Sequence, residues 1–280
     1  MNHEVKLLLN KAESRLTNKL LTVALAAFTG VTCLVGAQPT LAQSDGAAAQ
    51  PFVVPTVFQA AGPSAASIQS TVDEFRAALR GNNNGNNPGL TGGRREINWD
   101  GGSTTNATTS PGPTPFTVFL NTRGANITTR GTGFVQATPS GMADTFGNPS
   151  FATIFHAFSP LRLFSPIGSN VTNVEFFVPG SNGSQPATST GFGVVLTDVD
   201  RSTSTLIEYF GVHGELLFIS NAPASPGDGN LSFFGVVFND ARIARVRIIA
   251  GNAAPGPVTR RGTDFVMMDD FLYGEPTPLF

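Results

Sequence analysis

Apolar and polar residues alternate in short runs through most of the chain after residue 94, and Gly, Pro, Asn and Ser separate the runs. Alternation with a period of two is typical of strands with one buried face, and the separating residues favour turns. Strands are predicted at 96–99, 116–120, 126–129, 133–137, 153–158, 162–164, 173–178, 191–197, 205–210, 216–219, 232–238, 242–249 and 265–273. About a dozen strands at this spacing predict an all-β sandwich or barrel. No fixed repeat is visible, which disfavours a propeller or solenoid.

Two of these runs indicate how their strands face the core. In ARIARVRIIAG, Arg245 and Arg247 alternate with apolar residues, so their guanidinium groups are expected in water on the outer face. The run FFGVVF at 233–238 is apolar on both faces and is predicted at the centre of a sheet. The pairs Arg94-Arg95 and Arg260-Arg261 are interpreted as solvated strand or loop positions.

One helix is predicted, at residues 67–80, before the strands begin near residue 95. Its apolar side chains recur at spacings of four, three and four residues: Ile68, Val72, Phe75 and Leu79. Ser67 is suited to cap its start and Gly81 to end it, and its single apolar stripe predicts packing against a sheet. The Asn- and Gly-rich tract 82–93 that follows is predicted as a loop.

The N-terminal residues 1–42 have the order of parts of a signal peptide. Four basic residues lie within the first nineteen positions, and the run 20–37 is apolar. Thr40-Leu41-Ala42 then offers small residues for cleavage after Ala42. A membrane-spanning segment is the competing interpretation, because eighteen apolar residues approach the length of a span. We expect export to the periplasm, the cell surface or the medium, with no membrane span in the mature chain. The remaining parts are then a flexible linker at 43–66, a single domain at 67–276 and a tail at 277–280.

Removal of the leader changes the charge and the redox chemistry of the chain. Once four basic and two acidic residues are lost with it, 13 arginines remain against 17 acidic residues, and no cysteine remains. Disulfides and thiolate metal sites are then excluded, so stability must come from packing or from oxygen-ligated ions. Nucleic-acid binding is not expected, since little positive charge is left to neutralise phosphates. Phenylalanine supplies 23 of the 26 aromatic residues, which indicates a core more than a binding surface.

Several segments, in this order, resemble those of a group of exported bacterial proteins of uncharacterised function: GRREINWDG, LFSPIGSNVTNVEFFVPG, FGVVLTDVD, LSFFGVVF, RIARVRIIAGN and MDDFLYGEP. The resemblance covers about residues 70–276 and implies a galactose-binding-like jelly-roll domain. Some relatives end in a Pro-Glu-Pro sorting signal with a membrane segment, whereas this chain ends GEPTPLF without a hydrophobic segment. Because that group has no settled activity, the resemblance implies a fold and a compartment but no reaction.

Calcium is the cofactor that the residues suggest. Glu96, Asn98 and Asp100 project from one face of a predicted strand, and Asp269 and Asp270 belong to the last strand, which commonly lies beside the first in a jelly roll of that type. A structural calcium at this position would replace the stability of a disulfide. The competing interpretation is the hydrated face of an edge strand, with Arg94 or Arg95 paired to a neighbour.

A second calcium candidate is the pair Asp198 and Asp200 in LTDVDRSTST. Aspartates two apart occur in calcium loops, but the glycine and the closing glutamate of an EF-hand are absent. Aspartates also stabilise turns through side-chain bonds to the nearby backbone, and this interpretation competes with the ion.

The function that we predict is a non-catalytic binding module for a glycan or another cell-surface polymer. The predicted loops 82–93, 101–115, 179–190 and 220–230 are long enough to form a site. The residues able to stack on a sugar are Trp99, Tyr209 and Tyr273, although each also suits a core.

Two alternatives remain open, a structural protein of the cell surface without a small ligand and a glycan-active hydrolase. Hydrolysis would need two of Glu175, Glu208 and Glu215 as paired carboxylates, but no spacing pairs them. His156, between phenylalanines, is expected in the core or an interface, and His213 is expected to be exposed at a hairpin turn. A zinc site formed by the two histidines would require them to meet across the fold.

Overall fold

Two antiparallel sheets form the framework of the protein in a computed structural model that describes residues 53–100 and 110–279. The expected signal peptide, the first part of the expected linker and residues 101–109 of a predicted loop lie outside the described residues. The strands are β1 (Thr56–Gly62), β2 (Arg94–Ile97), β3 (Ser110–Gly112), β4 (Ala125–Thr129), β5 (Gly133–Ala137), β6 (Leu163–Ile167), β7 (Val171–Phe176), β8 (Ala187–Thr188), β9 (Gly191–Thr197), β10 (Leu206–Phe210), β11 (Leu216–Asn221), β12 (Leu231–Val237), β13 (Arg245–Ile249), β14 (Met267–Gly274) and β15 (Thr277–Pro278).

The strands are distributed over two large sheets and one small one. The first sheet has the order β1-β12-β9-β14-β6-β5-β3, and β2 also pairs with β14; the second sheet has the order β11-β10-β13-β7-β4. Strands β8 and β15 pair as a separate two-stranded sheet near the C-terminus.

A single large core joins the two sheets. Phe192 and Phe271 of the first sheet lie in the same buried cluster as Val174, Tyr209 and Val246 of the second sheet. Inward-facing residues of two antiparallel sheets that share a core are the arrangement of a β-sandwich. The prediction of an all-β fold is therefore confirmed.

The predicted helix forms as α1 (Ala65–Leu79) and covers part of the outer face of the first sheet. Its four predicted apolar residues are all buried. The ring of Phe75 lies over Gly193 and Gly235, which are opposite each other on β9 and β12, and a Cβ at either glycine would stand 2.8 Å from the ring. The predicted cap is wrong, because Ser64 takes the N-cap position and forms no side-chain capping bond.

Three further helices correct the expectation of a single helix: α2 (Leu120–Arg123), α3 (Pro139–Phe146) and α4 (Phe151–Ile154). Helix α4 replaces the first part of the strand predicted at 153–158, and the strand predicted at 116–120 is reduced to one bridge at Phe116. Thr138 accepts a hydrogen bond from the backbone N–H of Gly141 (3.2 Å) and Pro139 opens α3, which are favourable features of a helix start. Residues of α3 and α4 pack with Val135, Leu163 and Met267 on the other half of the first sheet.

The expected linker is also corrected. Strand β1 lies within 43–66 and pairs with β12 over seven residues, from Thr56 opposite Val237 to Gly62 opposite Leu231. The segment contributes few side chains to the core, so its backbone hydrogen bonds to β12 keep it ordered.

Arg95 is not solvated, contrary to the interpretation of the first arginine pair. Its side chain is fully buried and forms an ion pair with Glu275, with 2.5 Å between Arg95 Nε and Glu275 Oε2. Asn84 donates to the same carboxylate oxygen at 2.7 Å, so the predicted loop 82–93 is tied to the end of the last long strand. Arg94 pairs with Glu96 at 2.7 Å, and Arg260 and Arg261 are exposed as expected.

The outer face of the second sheet carries charged side chains. Arg245 and Arg247 point outward as predicted, while Val246 and Ile248, which alternate with them, are buried. Arg247 forms an ion pair with Glu208 at 3.1 Å, and the guanidinium of Arg245 lies 3.9 Å from the centre of the Phe210 ring. Within the described part of the chain, no helix is both long and apolar enough to cross a membrane.

Candidate functional site

The three residues expected to stack on a sugar belong to the core. Trp99, Tyr209 and Tyr273 are each fully buried. The Trp99 ring stacks on Phe164 with 3.7 Å between ring centres, and the two tyrosine hydroxyls donate to backbone carbonyls within the fold. None of the three presents a face to a ligand, so these binding-site predictions are wrong.

The first calcium candidate lies where β2 runs beside β14, as expected. The indole N–H of Trp99 donates to the backbone oxygen of Asp269 at 2.8 Å, at a bulge in β14 between Met268 and Phe271. This contact brings Asp100 close enough to Asp269 for their charges to interact. We call Asp100, Asp269 and Asp270 the seam cluster.

Hydrogen-bond donors from the segment 158–162 satisfy most of the seam cluster. The backbone N–H of Phe158 donates to Asp269 at 2.6 Å, and the hydroxyl of Ser159 donates to Asp270 at 2.5 Å. One oxygen of Asp100 accepts two further backbone N–H groups, at 2.6 and 2.9 Å, while its other oxygen has no hydrogen-bond partner among the described residues. Burial raises the pKa values of Asp269 and Asp270, and the neighbouring Asp270 raises that of Asp269 further.

The other two predicted ligands at this position do not join the seam cluster. Glu96 is engaged by two arginines, Arg76 at 3.0 Å and Arg94 at 2.7 Å. Asn98 is exposed. The arginine contacts correspond to the competing interpretation, a charged strand face with paired neighbours.

The second calcium candidate lies among three loops at one end of the sandwich. Asp198 and Asp200 follow β9, and Asp228 and Asp264 join them from the loops after β11 and β13. Burial, followed by the charges of these three neighbours, raises the pKa of Asp198 to about 8. We call these four residues the loop-end cluster; its two members from the other loops were not predicted from the sequence.

No metal-binding group of three or more His, Cys, Asp and Glu side chains is formed by residues 53–100 and 110–279 as they lie. Calcium therefore stays a prediction for either cluster. Each cluster holds one buried carboxyl oxygen without a hydrogen-bond partner among the described residues, and Asp198 is more deeply buried than Asp100.

The histidines do not come together in the groove described below. His156 is exposed, so its placement in the core is wrong and the interface stays a prediction. Its backbone N–H donates to the side chain of Thr197 in the first sheet at 3.0 Å. His213 is exposed, as predicted, at the turn between β10 and β11 of the second sheet.

Two of the glutamates considered for hydrolysis lie on the outer face of the second sheet. Glu208 is paired with Arg247, and Glu175 accepts a hydrogen bond from Asn126 at 3.2 Å. Strand β13 lies between their two strands. With ideal strand spacings, the Cα atoms of Glu175 and Glu208 are roughly 12 Å apart. The arrangement is a ladder of alternating charges.

A surface groove runs beside the β10–β11 turn. It consists of two adjoining depressions of about 600 and 260 Å³, which share Val212 and Leu279. Its polar lining residues include His213, Glu215, Asp240 and Arg242 in the larger depression and Glu175 and Arg245 in the smaller one.

The walls of this groove are held by local contacts. The backbone N–H of His213 donates to the Glu215 carboxylate at 2.9 Å, which fixes the turn. Arg242 forms a bidentate ion pair with Asp240, at 2.6 and 2.7 Å. Among the described parts of the loops predicted to form the site, only 179–190 contributes, through Pro186, Ala187 and Thr188.

These features define an all-β protein with a surface groove beside the β10–β11 turn. No protein-family model matches the chain, and neither a curated protein nor a solved structure matches it.

Proposed function

We propose that this protein is an exported, non-catalytic binding module whose ligand is a glycan or a similar polar surface polymer. The observation that carries the proposal is the groove formed by the two adjoining depressions. Two adjoining depressions suit successive units of a polymer, and their lining combines charged hydrogen-bonding groups with the apolar side chains of Val212 and Leu279.

The lining chemistry favours a hydroxyl-rich ligand over an apolar one. Glu215 and Asp240 supply acceptors, whereas Arg242 and Arg245 supply donors in fixed planar geometry. Sugar hydroxyls both donate and accept, so a mixed set of this kind satisfies them without a net charge on the ligand.

The jelly-roll topology and the exported location are parts of the same proposal. The chain crosses repeatedly between the two sheets, with β4 in the second, β5 and β6 in the first, β7 in the second and β9 in the first. Such crossing supports a jelly roll. The basic and apolar order of residues 1–42 supports export.

A glycan array probed with the purified chain tests this function. Val212 is 44% exposed and lines both depressions, so Val212→Arg would fill the groove from its shared wall. We expect the wild-type protein to bind at least one glycan class and the variant to bind it at least about 10-fold more weakly, as for the loss of one good contact.

The matched control is Val258→Arg. Val258 is 63% exposed and lies in the loop between β13 and β14, outside the lining of the groove. This variant should bind like the wild type. Equal binding by all three proteins, or silence of the wild type on every glycan class, would contradict the proposal.

Strand β11 favours a second candidate function, a structural surface protein that associates with copies of itself. β11 is an edge strand, its sequence LLFISN has no charged residue, and Leu216 and Ile219 are 50% and 44% exposed. Edge strands of this kind lack the charges that prevent strand pairing between molecules. A second copy of β11 can pair with this edge because neither strand carries a charge that would repel the other.

Sedimentation or light scattering at several concentrations tests this second candidate. Ile219→Lys places a charge on the exposed edge and should convert any dimer into a monomer. Val57→Lys changes a residue of the other sheet's edge strand, β1, that is 40% exposed, and should leave the association unchanged. A wild-type protein that stays monomeric excludes this candidate.

A further inference from the structure

The loop-end cluster gathers four carboxylates, none of which forms an ion pair with a described residue. Its members, Asp198, Asp200, Asp228 and Asp264, come from the loops after β9, β11 and β13. The six ion pairs between described residues all use other carboxylates. Arg201, which neighbours the cluster in sequence, donates instead to the backbone oxygen of Gly262 at 3.0 Å.

Asp198 is the residue that distinguishes this cluster from an ordinary acidic surface. It is 5% exposed, its backbone is in the left-handed region (φ 68°), and its N–H donates to the backbone oxygen of Asn230 at 2.9 Å. One carboxyl oxygen, Oδ1, is buried and has no hydrogen-bond partner among residues 53–100 and 110–279. A buried carboxyl oxygen without a partner is unfavourable, which points to a ligand that supplies positive charge.

The neighbouring aspartates differ in how firmly they are held. Asp264 is 2% exposed and accepts bonds from the backbone N–H groups of Asp200 and Arg201, both at 3.3 Å, and from the hydroxyl of Ser204. Asp200 accepts the backbone N–H of Gly227 at 2.8 Å through one oxygen, and its side chain is exposed. Asp228 is exposed as well.

We propose that the loop-end cluster binds a calcium ion. Asp198 supplies the fixed ligand, and the exposed carboxylates of Asp200 and Asp228 turn toward it when the ion binds, since the side chains as they lie do not form a ligand shell. Asp264 acts as a positioning residue, because its oxygens hold the backbone of Asp200 and Arg201. Calcium accepts six to eight oxygens in irregular geometry, as loops provide, whereas magnesium demands a regular octahedron. The ion would join the three loops at this end of the sandwich.

Thermal unfolding and calorimetric titration with calcium chloride, after removal of bound metal by a chelator, test the site. The melting temperature should rise by about 5 to 10 °C at a calcium concentration 100-fold above the dissociation constant. Magnesium chloride should give a smaller rise. Asp198→Asn should lose the calcium response while remaining folded, since asparagine tolerates the left-handed backbone.

Two further variants make the result specific. Asp228→Asn changes an exposed side chain and should weaken calcium binding about 10-fold or more without affecting the folded state. Asp270→Asn changes a buried aspartate of the seam cluster and should keep the full calcium response. The proposal is overturned if wild-type protein shows neither binding heat nor a melting shift at millimolar calcium. It is equally overturned if Asp198→Asn responds normally, or if Asp270→Asn loses the response, which would place the ion at the seam.

Discussion

The seam cluster and the loop-end cluster contain the same kind of side chain but satisfy it in different ways. In the seam cluster, Asp269 and Asp270 accept hydrogen bonds from the segment 158–159, and Trp99 anchors the backbone beside them. In the loop-end cluster, one oxygen of Asp198 is buried with no partner in the described part of the protein. The comparison teaches that buried acidic groups can hold two parts of a fold together or can form a site for a ligand. Each aspartate of the seam cluster accepts at least one hydrogen bond, and the oxygen without a partner there belongs to the half-buried Asp100, whereas in the loop-end cluster it belongs to the buried Asp198.

The largest expected effect is the loss of the seam hydrogen bonds in Asp269→Ala. Asp269 is fully buried and accepts the backbone N–H of Phe158, and the hydroxyl of Ser159 lies within 3.3 Å of its other oxygen. Leaving these donors without an acceptor should lower the free energy of unfolding by about 2 to 4 kcal/mol. Urea unfolding followed by circular dichroism measures the change.

Asp228→Ala in the loop-end cluster is the matched control for that substitution. Because Asp228 is exposed, its removal should change the free energy of unfolding by no more than about 0.5 kcal/mol. Similar losses in the two variants would contradict the distinction between the clusters.

A smaller effect is expected in the pH dependence of Asp269→Asn. The pKa of Asp269 is raised well above its ordinary value of 3.8, mainly by burial. The folded protein therefore keeps a proton that the unfolded chain has lost, so the stability from this group is complete below pH 3.8 and falls as the pH rises through the raised pKa. Asparagine stays neutral at every pH. Between about pH 5 and pH 9, the free energy of unfolding should therefore fall less in the variant than in the wild type, and the two losses should differ by at least about 1.4 kcal/mol, the equivalent of one pKa unit.

Urea unfolding at a series of pH values measures this difference. Parallel curves for the wild type and Asp269→Asn would show that the buried carboxyl group is ionised in both the folded and the unfolded protein. That result would remove the basis for its raised pKa.

Trp99→Phe should also destabilise the protein, because it removes the indole N–H that donates to the Asp269 carbonyl and part of the stack on Phe164. The free energy of unfolding should fall by about 1 to 2 kcal/mol. Tyr209→Phe removes one buried hydrogen bond away from the seam, to the Phe192 carbonyl, and should cost about 1 kcal/mol. A calcium response that survives in Trp99→Phe would be consistent with a cation held at the loop-end cluster.

The smallest expected effect is on fluorescence. Trp99 is the single tryptophan of the chain and contacts the seam cluster directly. Calcium bound at the loop-end cluster should leave its emission maximum unchanged, whereas calcium bound beside Asp269 should shift it. A titration followed by emission therefore reports which cluster holds the ion, independently of any substitution.

Periodicity predicted much of the fold because alternation records burial directly. Val246 and Ile248 are buried in alternation with the outward Arg245 and Arg247, and Phe75 lies on the apolar stripe that the helix pattern indicated. Strand β1 was not predicted because its stability comes from pairing with β12, which its own composition does not reveal. Helix α3 was not predicted because Pro139, Ser140 and Gly141 in its first turn are typical of turns.

The sites were predicted less completely than the fold. The neighbourhood of Asp100 and Asp269 could be expected from the pairing of the first and last strands. The partnership of Arg95 with Glu275 could not, because 180 residues separate them and nothing local marks an arginine as buried. Asp228 and Asp264 join Asp198 through loops whose courses the sequence does not define. The groove depends likewise on how the tail at 277–279 meets the β10–β11 turn.

Helices α1, α3 and α4 all lie on the outer face of the first sheet, so the two outer faces of the sandwich differ. Glu74 is exposed on α1 and lines neither depression of the groove. A support or label attached at this position would orient every immobilised molecule alike without occupying the groove. Surface-based measurements could then compare ligands on a uniform layer of protein.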